Sequence, residues 1–147
     1  MKIRHGFVSN SSSSSFIVLD GEPDAFFTPG TEIILGDQGE TEFGWECIRH
    51  EDFFSKLNFA YLQTTYIEDE AKGIAWYKML ESVLNTKGLV VTGNEMLESS
   101  TDPVYAYIDH QSNAGEGKNT EIFDSEQMLS QFLFSSFSFI QQDHDNK

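Results

Sequence analysis

Apolar and polar positions tend to alternate at the N-terminus, Lys2-Ile3-Arg4-His5-Gly6-Phe7-Val8, and a second apolar run follows at Phe16-Ile17-Val18-Leu19. Ser9, Asn10 and the serines from Ser11 to Ser15 lie between them, so the pattern predicts strand, polar loop, strand. Asp20-Gly21 and Pro23 close the second strand, and Thr28-Pro29-Gly30 turns the chain into Thr31-Glu32-Ile33-Ile34-Leu35, a strand ended by Gly36-Asp37. A further short strand is expected over Phe43 to Cys47, weakened by Gly44.

From Glu51 the period changes. Phe53, Phe54, Leu57, Ala60, Tyr61 and Thr64 recur at three- and four-residue steps, the spacing of one helix face, with Asp52 at the positive N-terminal end. A second helix is predicted over 69–86, with Gly73, Trp76, Tyr77, Leu80, Val83 and Leu84 on one face and Gly88 as its left-handed stop. The two helices are expected to pack on the sheet as a hairpin. Leu89-Val90-Val91-Thr92 and Val104-Tyr105-Ala106-Tyr107-Ile108 read as strands, and a glycine-rich loop over 113–119 leads to a third helix. Asp124 is its expected N-cap, with Gln127 completing a capping box, Phe123 stapling on Met128, and Met128, Leu129, Phe132 and Leu133 facing inward. The polar tail, residues 141–147, is expected to fray. Together these elements predict an α+β fold: a mostly antiparallel sheet with two to three helices packed on one face, in a single domain over residues 1–147.

Composition agrees with one closed core. The chain has 147 residues, 39% of them apolar, with 13 Phe and 5 Tyr, so much of the interior must be filled by aromatic rings. Charge narrows the partners: 24 acidic against 9 basic residues leave a formal net charge of −15, which repels phosphate backbones and anionic lipid headgroups. Direct nucleic-acid binding and membrane association are therefore not expected. A basic protein surface is, although negative charge also serves solubility alone. A single cysteine, Cys47, excludes an internal disulfide and any Cys-x-x-Cys site, and no window reaches the ~20 apolar residues of a membrane span. After Lys2 and Arg4 the chain turns polar instead of building the apolar stretch of a signal peptide, so a cytoplasmic protein is expected.

Two constellations could carry chemistry. The first is Ser9, Asn10, Ser11, Ser12, Ser13, Ser14 and Ser15, six serines in seven positions, near Arg4. Clustered hydroxyls, turn amides and Arg4 would make an anion or phosphate cradle, though no Gly-x-x-x-x-Gly-Lys loop is present. The same hydroxyls could instead be a modification target, or simply bond local backbone and hold an irregular loop. The second is Asp109, His110, Gln111 and Ser112 at a strand end, where loops display functional side chains. His110 as general base, oriented by Asp109, with Ser112 on substrate, is one reading. Adjacent strand residues point to opposite faces, however, and a hydrogen-bonded turn that ends the strand explains the same residues. Asp143, His144 and Asp145 could join Asp109 and His110 on a divalent metal, but the spacing matches no metal pattern and a solvated acidic tail accounts for it. No metal, cofactor or catalytic residue is assigned. Cys47, beside Ile48, reads as a small buried side chain, and His5 and His50 as structural.

The opening residues Arg4, Gly6, Phe7, Val8, Ser9, Asn10 and Ser11 to Ser15, followed by Phe16, resemble the start of small bacterial and bacteriophage proteins that share an Arg-x-Gly-Phe-Val-Ser-Asn-serine-rich-Phe signature. Tyr107-Ile108-Asp109-His110-Gln111-Ser112, and Phe132-Leu133-Phe134 leading to Asp145-Asn146, are similar to further segments of such proteins. Gln141-Gln142-Asp143-His144 departs from their more Gly- and Asn-rich tail. The resemblance implies a phage or bacterial origin and no particular reaction.

Two functions of different classes follow. The favoured one is a non-enzymatic protein-binding modulator of host or phage machinery, working through its acidic surface, with partial mimicry of DNA charge as one form this could take. The other is a small enzyme or a nucleotide- or anion-binding protein whose pocket joins Arg4, the serine loop and Asp109 to Ser112. In the second case the two remote segments must meet at one concave site.

Overall fold

A computed structural model describes residues 3–5, 13–44, 48–96, 106–109 and 112–144. The strand expected at 43–47 is described only as far as its short start, β4 (Glu42–Phe43), and Trp45 to Cys47 lie outside the described residues. So do Ser9 to Ser12, Val104 and Tyr105, His110, Gln111 and residues 145–147.

The two central helices form where the apolar spacing put them. α1 (Phe53–Tyr66) starts at Asp52, whose carboxylate accepts from the Ser55 amide at 2.9 Å, and α2 (Glu70–Thr86) starts at Asp69, which accepts from the Lys72 amide at 3.2 Å. Each cap satisfies an amide the helix itself leaves open. α2 buries Gly73, Trp76, Leu80, Val83 and Leu84 and is stopped by Gly88, whose φ of +79° suits a residue without Cβ. Space makes the same demand, because a Cβ there would lie 2.7 Å from the Pro29 Cα.

α3 (Glu126–Phe134) begins one residue later than expected. Its cap is Ser125, which accepts from the Met128 amide at 3.0 Å, in place of Asp124. Asp124 cannot serve because it already has helical backbone angles, φ −67° and ψ −27°, as the close of the 3-10 turn Glu121–Phe123. An N-cap needs the extended conformation that Ser125 adopts.

The fold is α+β, with three α-helices and eight strands among the described residues. The largest sheet has four antiparallel strands in the order β1 (Ile3–His5), β2 (Ser13–Leu19), β8 (Phe139–His144), β5 (Ile48–His50). β3 (Thr31–Leu35) pairs in parallel with β6 (Leu89–Asn94), and β4 pairs in parallel with β7 (Tyr107–Ile108), so antiparallel pairing is confined to the larger sheet. The α1–α2 hairpin lies between β3 and β6 in sequence and returns the chain in the same direction, as a parallel pair requires. α1 and α2 pack most closely on each other, and among the strands α2 meets β6, α3 meets β2 and α1 meets β7.

Two further expectations are corrected. Ser13, Ser14 and Ser15 belong to strand β2 and not to a loop, with Ser13 opposite His144, Ser14 opposite Asp143 and Ser15 opposite Gln142. Residues 141–144 do not fray, because they are part of β8 and β8 lies between β2 and β5. In both segments cross-strand hydrogen bonding overrides the weak strand preference of serine and of a polar run.

The core gathers residues from Ile17 in β2 to Ile140 in β8 around the aromatic rings. Phe43 meets Phe59 edge-on at 5.1 Å, and Trp76 stacks flat on Phe123 at 4.5 Å. Each fully buried ring contributes about 1.5–3 kcal/mol. His50 is buried edge-on against Phe43 at 5.4 Å. Among the described residues no helix is long and apolar enough to cross a membrane.

Candidate functional site

The end of the serine run and the end of the Asp109–Ser112 turn meet. The Ser15 amide donates to the Ser112 hydroxyl at 2.5 Å. Asn119 clamps the same pair, its side-chain amide donating to the Ser15 carbonyl at 3.2 Å and to the Ser112 carbonyl at 2.8 Å. Gln63 on α1 adds a bond to the Ser112 carbonyl at 3.2 Å and accepts from the Ala114 amide at 2.7 Å. Asp109 stands beside β4, where its amide donates to the Phe43 carbonyl at 2.8 Å, and Asn113 caps the carbonyls of Ile108 and Asp109 at 3.3 Å each.

This cluster is closed. Ser15 and Asn119 are each 1% exposed, and Ser112 and Gln63 0%. The backbone of Arg4 sits opposite Val18, towards the far end of β2 from Ser13. The described residues therefore bring Ser15, Asp109 and Ser112 together as an interior polar joint between β2, α1 and the 109–119 loop. Two of its atoms, Ser15 Oγ and Asn119 Oδ1, have no hydrogen-bond partner among the described residues. Gln63 and Asn119, which complete the joint, were not singled out from the sequence. The only sequence signal was an Asn in a glycine-rich loop, where φ > 0 is common, and Asn119 does take φ +54°.

An open groove of about 840 Å³ lies elsewhere, between the end of α1, the outer face of α2 and β6. Gly73 sets its floor: a Cβ there would lie 2.7 Å from the Thr64 carbonyl oxygen, so its absence lets α2 close on α1. Apolar surface comes from Ile67, Ile74 and Val91, and two rings, Tyr61 and Tyr77, meet edge-on at 5.9 Å and 81°. Burial raises the Tyr61 phenol, while its hydrogen bond with Asn94 works the other way. Burial also raises Tyr77, reinforced by the charge and hydrogen bond of Glu81. The rim carries Glu68, Glu70 and Glu81 against Lys78. A groove of this size and lining falls within the range of ligand sites. Tyr61, Thr64 and Tyr77 were legible only as helix-face residues, because a groove appears once β6 stands behind them.

Lys56 is the third notable group, at 1% exposure on α1. Its ammonium donates to the carbonyls of Ser135 at 2.7 Å and Ser138 at 2.9 Å, tying α1 to the turn between α3 and β8. Burial pushes its pKa down to about 8, with Asp52, Asp24 and Glu51 pulling the other way. Among the described residues no group of three or more His, Cys, Asp and Glu side chains is placed to hold a metal.

Comparison with protein-family models, with curated proteins and with solved structures finds no match to the chain.

Proposed function

We propose that the protein is a non-enzymatic binding module of the cytoplasm that engages a basic segment of another protein, as a modulator of phage or host machinery. The observation that carries this is the groove between α1, α2 and β6. Its rim sets Glu68, Glu70 and Glu81 against one cation, Lys78, over apolar walls, in a chain of net charge −15. Complementary charge speeds encounter and selects against acidic partners, while the apolar walls supply the area that holds a bound segment. The serine joint supports an anion-binding enzyme less well, because Ser15, Asp109 and Ser112 are buried and Ser15 and Ser112 bond each other.

The test is a two-dimensional NMR titration with a short lysine- and arginine-rich peptide and an acidic peptide of equal length. The basic peptide should shift the amides of Tyr61, Thr64, Tyr77 and Asn94, and its affinity should fall several-fold as salt rises, since screening shortens the reach of surface charges to roughly 8 Å. Equal binding of both peptides, or shifts scattered over the surface without the groove, would sink the reading.

A further inference from the structure

We infer that the Tyr61–Tyr77 end of the groove is a pocket for a lysine side chain of the partner's basic segment, an inference that rests on the proposed binding of such a segment there. Tyr77 and Glu81 lie one turn apart on α2 and both line the groove, where the Glu81 carboxylate acts on the Tyr77 phenol, and Asn94 acts on the Tyr61 phenol. Both phenols are raised above their usual pKa, so the rings stay neutral at physiological pH. A neutral aromatic ring with a carboxylate beside it offers a cation both the ring face and an opposite charge.

The rest of the lining fits the same side chain. Ile67, Ile74 and Val91 offer an apolar track for four methylenes, and Ile74 is 51% exposed. The Thr64 and Thr65 hydroxyls are already turned back to the carbonyls of Tyr61 at 2.6 Å and Leu62 at 2.7 Å, so the carboxylates are the strongest acceptors left on the rim. Glu81 stands one turn from Tyr77 with the phenol against its carboxylate, a crowded approach that suits the point charge of an ammonium better than a two-pronged guanidinium. Lys78, in the same groove, repels that ammonium and limits affinity.

The experiment is a fluorescence anisotropy titration of a short labelled basic peptide with one central lysine, and of versions with arginine or uncharged norleucine at that position. Wild type is compared with Y77L, Y77F, E81Q, K78Q and E22Q, each checked for folding by thermal unfolding. Y77L and E81Q should weaken the lysine peptide about tenfold, as loss of a cation–π contact or a paired carboxylate does, and K78Q should tighten it about twofold. Y77F, which keeps the ring and loses only the link to Glu81, should fall between wild type and Y77L, and it replaces Y77L if that variant does not fold. E22Q, outside the groove, should change affinity less than twofold. Lysine peptides that bind Y77L and E81Q as tightly as wild type would remove the pocket and leave the binding of basic segments standing. An arginine peptide that binds as well as the lysine peptide would overturn the choice of side chain. Competition by free spermidine at the peptide's own concentration would replace the protein segment by a soluble polyamine. If no basic peptide binds, the proposed function itself fails.

Discussion

The amide of Ser15 in strand β2 donates to the hydroxyl of Ser112 at 2.5 Å, joining positions 97 residues apart inside a buried polar joint. An asymmetry follows from it. Ser112→Ala strands a buried amide and should cost about 1–3 kcal/mol, whereas Ser15→Ala removes a hydroxyl that has no partner among the described residues and should be neutral or stabilising. Denaturant unfolding of the two variants measures the difference. Equal losses would show that the Ser15 hydroxyl does hold something.

Asn119 combines a left-handed backbone, φ +54°, with two side-chain hydrogen bonds. Asn119→Gly and Asn119→Ala lose the bonds alike, but only alanine keeps the steric penalty. The alanine variant should be the less stable by about 1 kcal/mol, read as a difference in unfolding midpoint.

Lys56 predicts a pH dependence. Its folded pKa, about 8, lies below the ordinary 10.5, so the unfolded chain binds the proton more tightly and stability rises with pH between those values. The contribution is absent below about pH 8 and complete above 10.5, on the order of 3 kcal/mol. Tyr61 and Tyr77, whose folded pKa values are raised above 10.0, oppose it at higher pH, which leaves pH 8 to 10 as the clean window. Wild type should gain stability relative to Lys56→Met across that window. Parallel curves for the two proteins would mean that burial does not depress the lysine.

Gly73 reverses a familiar rule. Gly→Ala inside a helix normally stabilises by about 1 kcal/mol, yet here the new methyl would lie 2.7 Å from the Thr64 carbonyl oxygen, which is backbone and cannot swing aside. Gly73→Ala should therefore lower the melting temperature and widen the separation of α1 and α2, both measurable by thermal unfolding and NMR.

What the sequence made legible follows the range of the physics involved. The central helices were readable because Asp52, Asp69 and the apolar spacing act within a turn or two of chain. β8 was not, because Gln141 and Gln142 look like solvent-facing residues until their partners are known. Gln142 is 2% exposed and accepts from the Gly44 amide at 2.7 Å, a contact no local pattern announces. Lys56 was hidden for the same reason, since its two acceptors belong to the α3–β8 turn. Of the candidate site, the meeting of Ser15 with Ser112 followed from both lying at ends of strand-like runs. The groove did not, because it needs α1, α2 and β6 at once.

The place of β8 between β2 and β5 has a consequence during synthesis. β2, with Phe16, Ile17, Val18 and Leu19, is translated before the described helices, whereas the neighbour that covers its second edge comes only after all three of them. Until then a short apolar strand with unpaired amides and carbonyls is open to pairing with other nascent chains. Closing the sheet is thus a late, long-range event that slows folding relative to the helical hairpin.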